Sequence, residues 1–177
     1  PVRPGGILVW GANPAVSGAD GELQWFIKDA AREGIPMVVV DPKPNELTRQ
    51  AKYWLRIRPG TDGALALGIL NILIQENLYD RDFVEHYTYG FDALRERCKE
   101  YDVERVARIT DIPAAEILAA ARWIGTTKPL GLEQGCAFEQ SVNAMDTCRA
   151  IFMIPAITGN YDVPGGFVEG MEIAPAG

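Results

Sequence analysis

The residues best suited to bind a ligand stand at the ends of apolar runs. Asp62, in "RPGTDG", opens a long apolar segment. A carboxylate offers two acceptors side by side. They match the N1–H and N2–H₂ donors on the Watson–Crick edge of guanine, a pair that adenine lacks. The same group can instead cap its own helix by accepting from the first-turn N–H groups. The residues alone weigh these readings equally.

Three other stretches share this placement. In "ILVWGANPA", Gly11 lets the backbone leave a strand where a side chain would obstruct, Asn13 carries donor and acceptor groups, and Pro14 fixes the turn. This is either a ligand loop or a plain turn in which Asn13 bonds locally. In "VVVDPKP", Asp41 stands where dinucleotide-binding folds place an acid against ribose hydroxyls, although farther from Gly11 than the usual spacing of roughly 20 residues. Asp41-Pro42 can equally just start a turn, and Lys43 either meets a phosphate or stays solvated. In "EQGCAFEQ", Gln134, Glu139 and Gln140 surround Gly135, too generic a set to name a ligand.

Several classes are excluded or disfavoured. There is no G-x-G-x-x-G turn, P-loop lysine motif or nucleophile elbow. The three cysteines, Cys98, Cys136 and Cys148, form no C-x-x-C pair, and the one histidine, His86, has no obvious partner, so no metal site is expected. With a net charge of -7, a nucleic-acid backbone is not an expected partner. No apolar run reaches membrane-spanning length. At 177 residues, 47% hydrophobic and 23% charged, the chain has the make-up of one globular domain.

The elements that must position these loops follow from periodicity. Gly6 to Trp10 predicts a first strand. Leu23, Phe26, Ile27 and Ala30 have the i, i+3, i+4, i+7 spacing of a helix, with Ser17 and Asp20 as a start signal and Gly34 as a stop. "IPMVVVDP" is a β-branched run suited to a strand buried on both faces. A small helix over Leu47 to Lys52 and a strand around Trp54 to Ile57 come next. "DGALALGILNILIQEN" is apolar all round, as a buried helix is. Several short helices then form an excursion, and "PAAEILAAARWIGTT" is amphipathic with Pro113 in its first turn. "PLGLEQG" predicts a fourth strand. "NAMDTCRAIFMIPAITGN" predicts a helix in which Pro155 disturbs the last turns. The pattern predicts a Rossmann-like three-layer α/β/α fold with a mainly parallel sheet and a helical excursion between the third and fourth strands. Ligands in such folds sit beyond the carboxyl ends of the strands.

Taken together, "WGANPAVSG", the long segment from "VVVDPKPNELTRQAKYWLRIRPGTDGALALG" through "NLYDRDFVEHYTYGFD", and "AITGNYDVPGG" resemble successive segments of the molybdopterin oxidoreductases of the dimethyl-sulfoxide-reductase family. The resemblance implies one domain, 1–177, that binds one arm of a bis(molybdopterin guanine dinucleotide) cofactor carrying molybdenum or tungsten. It implies a cofactor-binding set of Gly11, Asn13, Asp41, Pro42, Lys43, Gly60, Asp62, Gly135 and Gln140. Gly11 and Asn13 would lie along pyrophosphate and ribose, Asp41 on a ribose hydroxyl, Asp62 on guanine. Gly135 and Gln140 would fall in the loop toward the pterin and metal. Many members carry Arg where this chain has Lys43.

The resemblance also implies what this chain lacks. The family's iron–sulfur cysteines precede this domain, and its metal ligand and second dinucleotide site lie outside it. None of the three cysteines sits in a matching motif. The start "PVRPGG" and the end "EIAPAG" likewise suggest a piece of a longer protein. The expected partners are the remaining domains of the same catalytic subunit and electron-transfer subunits, and no turnover is expected from the chain alone. The competing expectations are a nicotinamide-dependent dehydrogenase domain and a non-catalytic interaction module.

Overall fold

The computed structural model describes residues 2–17 and 21–167, the backbone alone over 21–24. Four parallel strands form one sheet in the order β3-β2-β1-β4: β1 (Gly6–Trp10), β2 (Met37–Val40), β3 (Tyr53–Leu55) and β4 (Leu130–Gln134). β1 pairs Trp10 with Val40 on one side and with Gln134 on the other. β1 and β2 are apolar along their length because both faces are covered. Leu8, Trp10, Val38, Val40 and Leu55 share one core with Leu65, Ile69, Ile117, Ile124 and Ile151. Ile7, Val9, Met37 and Val39 form a second core with Ile27, Ala30 and Leu47.

The second core is covered by α2 (Gly21–Arg32) and α3 (Glu46–Gln50), the first by α4 (Asp62–Gln75), α8 (Ala114–Thr126) and α9 (Ala144–Ile157). Three shorter helices lie between α4 and α8: α5 (Arg81–Tyr87), α6 (Phe91–Cys98) and α7 (Val103–Thr110). The three-layer fold and the excursion between β3 and β4 are therefore present. α4 is buried on most sides, and at Gly68 an added Cβ would lie 2.7 Å from Val106 Cγ2, so glycine lets α7 approach. α9 runs through Pro155 to Ile157.

Four local expectations change. A one-turn helix, α1 (Pro14–Ser17), fills the loop after β1. Ser17 closes it, its hydroxyl donating to the Asn13 carbonyl (3.0 Å), rather than starting α2; Asp20 lies outside the described residues. Phe26 is 55% exposed whereas Ile27 is fully buried. Among the described side chains of α2, Ile27 and Ala30 are buried in the core with β1 and β2, Leu23 lies outside the described side chains, and Phe26 hangs beside β4 over a small hollow with Val2, Pro4 and Gly131. β3 spans Tyr53–Leu55, so Ile57 is buried beyond the strand's end.

Candidate functional site

The carboxyl edge of the sheet collects the loops from all four strands. After β1, Gly11 adopts φ +59° and donates its N–H to the Val40 carbonyl (3.0 Å). The Asn13 carbonyl then accepts from the N–H groups of Val16 and Ser17 at 3.0 and 2.9 Å. These local bonds come from the main chain. The Asn13 side-chain oxygen Oδ1 is buried and has no hydrogen-bond partner among the described residues, and the same holds for Gln134 Oε1 at the end of β4. Buried acceptors without partners are costly and uncommon in native proteins.

After β2, the Asp41 carboxylate organises its own loop. Oδ1 accepts from the Lys43 N–H (2.7 Å) and Oδ2 from Asn45 Nδ2 (3.0 Å). Its carbonyl accepts from Trp54 Nε1 (2.8 Å). Asn45 in turn caps α3 in a reciprocal box with Thr48. A carboxylate has about four lone-pair sites, so these bonds leave Asp41 able to accept two more. The Lys43 side chain is exposed beside it.

After β3, Gly60 is exposed at φ +81° with open space where a Cβ would stand. Thr61 precedes α4 without a side-chain cap. Asp62, half-buried in the first turn, does not cap the helix either. Its Oδ1 accepts from Trp10 Nε1 at 2.9 Å, and Oδ2 has no hydrogen-bond partner among the described residues. Trp10 is fully buried at the end of β1. This bond ties the first strand end to the third. Nearby Arg58 is engaged with Asp111 through two bonds of 2.8 and 2.6 Å, so it is not a free phosphate ligand.

After β4, the chain folds back over β1. Gly135 donates to the Trp10 carbonyl (3.1 Å), and Phe138 is buried against Gly11. The gap between β1 and β4, where the strand order reverses, is thereby filled by protein. Gly60 and Gln140 belong to a groove of about 1040 Å³ floored by Leu67, Leu94 and Met153. Asp62 lies between two of its glycines, Gly60 and Gly63, but does not line it. Sequence reasoning singled out neither Trp10 nor Asn45. Trp10's partner stands 52 positions away, while the Asn45-x-x-Thr48 spacing is a readable capping signal.

The other ionisable groups add little chemistry at this edge. Burial pushes the Glu133 carboxyl up; it stands on β4 in register with Val9. Among the described residues no group of three or more His, Cys, Asp or Glu side chains is placed to hold a metal ion. No helix there is long and apolar enough to cross a membrane.

A parallel α/β sheet with polar loops gathered on its carboxyl edge defines a Rossmann-like ligand-binding class. The chain belongs to the molybdopterin oxidoreductase family, whose sequence model matches residues 4–177. It is 35% identical over 190 residues to the dimethyl sulfoxide reductase DmsA of Haemophilus influenzae, covering 95% of this chain and 24% of the relative. It is 37% identical over 147 residues to the acetylene hydratase of Syntrophotalea acetylenica, covering 83% of this chain and 19% of that protein. A solved acetylene hydratase from Pelobacter acetylenicus superposes with a TM-score of 0.82 and 34% identity over 90% of this chain and 22% of its own. The chain thus spans about a quarter or less of the relatives it matches.

Proposed function

We propose that this chain holds one guanine dinucleotide arm of a bis(molybdopterin guanine dinucleotide) cofactor within a molybdenum- or tungsten-dependent oxidoreductase. The observation that carries this reading is the half-buried Asp62 carboxylate, with one oxygen held by Trp10 and the other without a hydrogen-bond partner among the described residues. A fixed acid with a free oxygen at a strand end suits the paired donors of guanine. The buried Asn13 Oδ1, without a partner among the described residues, fits a group that brings donors to the first loop.

In this reading Gly11 and Asn13 lie along pyrophosphate and ribose. Asp41 accepts from a ribose hydroxyl, with Pro42, Lys43 and Gly60 framing the loop and Asp62 on the guanine edge. Gly135 and Gln140 face the pterin side. The bound cofactor supplies the metal chemistry; this chain orients it. Relatives named for a sulfoxide reduction and for a hydration share the domain, which suits a part that holds the cofactor and leaves substrate choice to others. The partners are then the remaining domains of the same catalytic subunit, together with electron-transfer subunits. An iron–sulfur cluster belongs to those missing parts, and the isolated chain gives no turnover.

Calorimetric titration with GDP and ADP tests the reading. GDP binds more tightly, and Asp62→Ala lowers its affinity by about 1.5–3 kcal/mol, the worth of a hydrogen bond to a charged group. Equal affinity for the two nucleotides in the unaltered chain sinks the assignment.

A further inference from the structure

The indole of Trp10 is an unusual neighbour for a ligand carboxylate. Its ring is fully buried in the larger core, yet its N–H leaves that core to reach Asp62 Oδ1 at 2.9 Å. An indole N–H is donor only, and a buried one needs an acceptor. Here the acceptor is a half-buried carboxylate at the start of α4. Asp62 makes no cap bond that would fix its rotation.

We infer that Trp10 is a positioning residue for base recognition, an inference that rests on the guanine reading of Asp62. The indole N–H fixes the plane of the carboxylate. Oδ2 and the remaining lone pair of Oδ1 are then presented as a pair before the ligand arrives. A carboxylate free to rotate would lose that freedom on binding, which weakens the complex. The strand position makes the device rigid. Trp10 is locked by main-chain pairing to Val40 on one side and Gln134 on the other. The side chain that reads the base is thus aligned from the neighbouring loop's own strand, underneath the site.

The test separates the N–H from the ring. Trp10→benzothienylalanine keeps the ring's shape and removes the donor; Trp10→Phe is the genetically simple version. Each is made alone and with Asp62→Ala, and GDP and ADP are titrated by calorimetry. The expected result is a loss of about 5- to 10-fold in GDP affinity with ADP unchanged. In the Asp62→Ala background the same changes at Trp10 have no further effect. An additive loss in that background, or an equal loss for both nucleotides, means that Trp10 only packs, and overturns the inference. A GDP preference that neither Trp10 replacement diminishes overturns it as well, while leaving the Asp62 reading intact. Loss of that preference with Asp62→Ala is what upholds the reading itself. An independent readout is the indole ¹⁵N–¹H signal of Trp10, assigned through Trp10→Phe. It moves when GDP is added and stays in place with ADP; a signal indifferent to GDP also overturns the inference.

Discussion

Gly135 lies directly against the Gly11 carbonyl. An added Cβ at Gly135 would collide with that oxygen and stand 2.9 Å from the Ala12 Cα. The contact is backbone on backbone, so nothing flexible can yield. The close approach holds the loop after β4 onto the loop after β1 and keeps the gap between them filled. Gly135→Ala is expected to destabilise the chain by about 1–3 kcal/mol, the cost of overpacking a filled site. Gly60→Asn is the control. Gly60 also has a left-handed φ but open space around it, and asparagine tolerates that conformation. Its denaturation midpoint in urea should stay near that of the unaltered chain while that of Gly135→Ala falls.

Asn160 fastens the end of α9 to the start of β4. It is 1% exposed. Its Oδ1 accepts from the Leu130 N–H and its Nδ2 donates to Thr158 Oγ1, both at 2.9 Å. Asn160→Ala would leave the buried Leu130 N–H without an acceptor, at a cost of about 1–3 kcal/mol. Urea unfolding checks this, and a midpoint equal to that of the unaltered chain would refute it.

The sheet was legible because its signals are local. β1 and β2 are short apolar runs that stop at Gly11 and at Asp41-Pro42, and α4 is apolar around its whole circumference. The strand-end loops followed from topology alone. What stayed hidden depends on contacts distant in sequence. Nothing near Trp10 announces that its indole meets Asp62. Nothing in "EQGCAFEQ" announces that Gly135 is pressed on Gly11. Periodicity places Phe26 on the buried side of α2, because it gives the angle of a side chain but not the width of the surface that the helix covers. For Asp62, the helix-cap alternative is settled only by the tertiary structure, in which its carboxylate accepts from the indole of Trp10 and α4 has no side-chain cap.

Asp80 gives a pH signature. It caps α5, and its carboxyl is held below the ordinary aspartate range, first by the Phe83 N–H at 3.0 Å, against the opposing effect of burial, and then by Lys128 at 3.2 Å. A lowered folded pKa means that the unfolded chain takes up the proton first. The stabilisation is therefore full above the ordinary value of about 4 and is lost as pH falls through the lower folded value. Asp80→Asn keeps a capping oxygen but cannot titrate. The stability gap between the unaltered chain and Asp80→Asn should be constant above about pH 5 and shrink below pH 4. Thermal unfolding at a series of pH values measures it, and a gap that widens on acidification would contradict the assignment.

The cysteines should separate by reactivity. Cys136 is exposed in the loop after β4, Cys148 is half-buried and Cys98 is fully buried. Burial pushes the Cys98 thiol up to about 11, so almost none of it is thiolate near neutral pH. The thiolate is the reacting species. Burial and then the charge of Glu139 also raise the Cys148 thiol. A maleimide at pH 7 should therefore label Cys136 first and Cys148 more slowly, with Cys98 reacting only after denaturant is added. Mass spectrometry of the labelled peptides over time gives the order. Rapid labelling of Cys98 in the folded chain would mean that the packing of α6 onto α4, which buries that thiol, is looser than the structure has it.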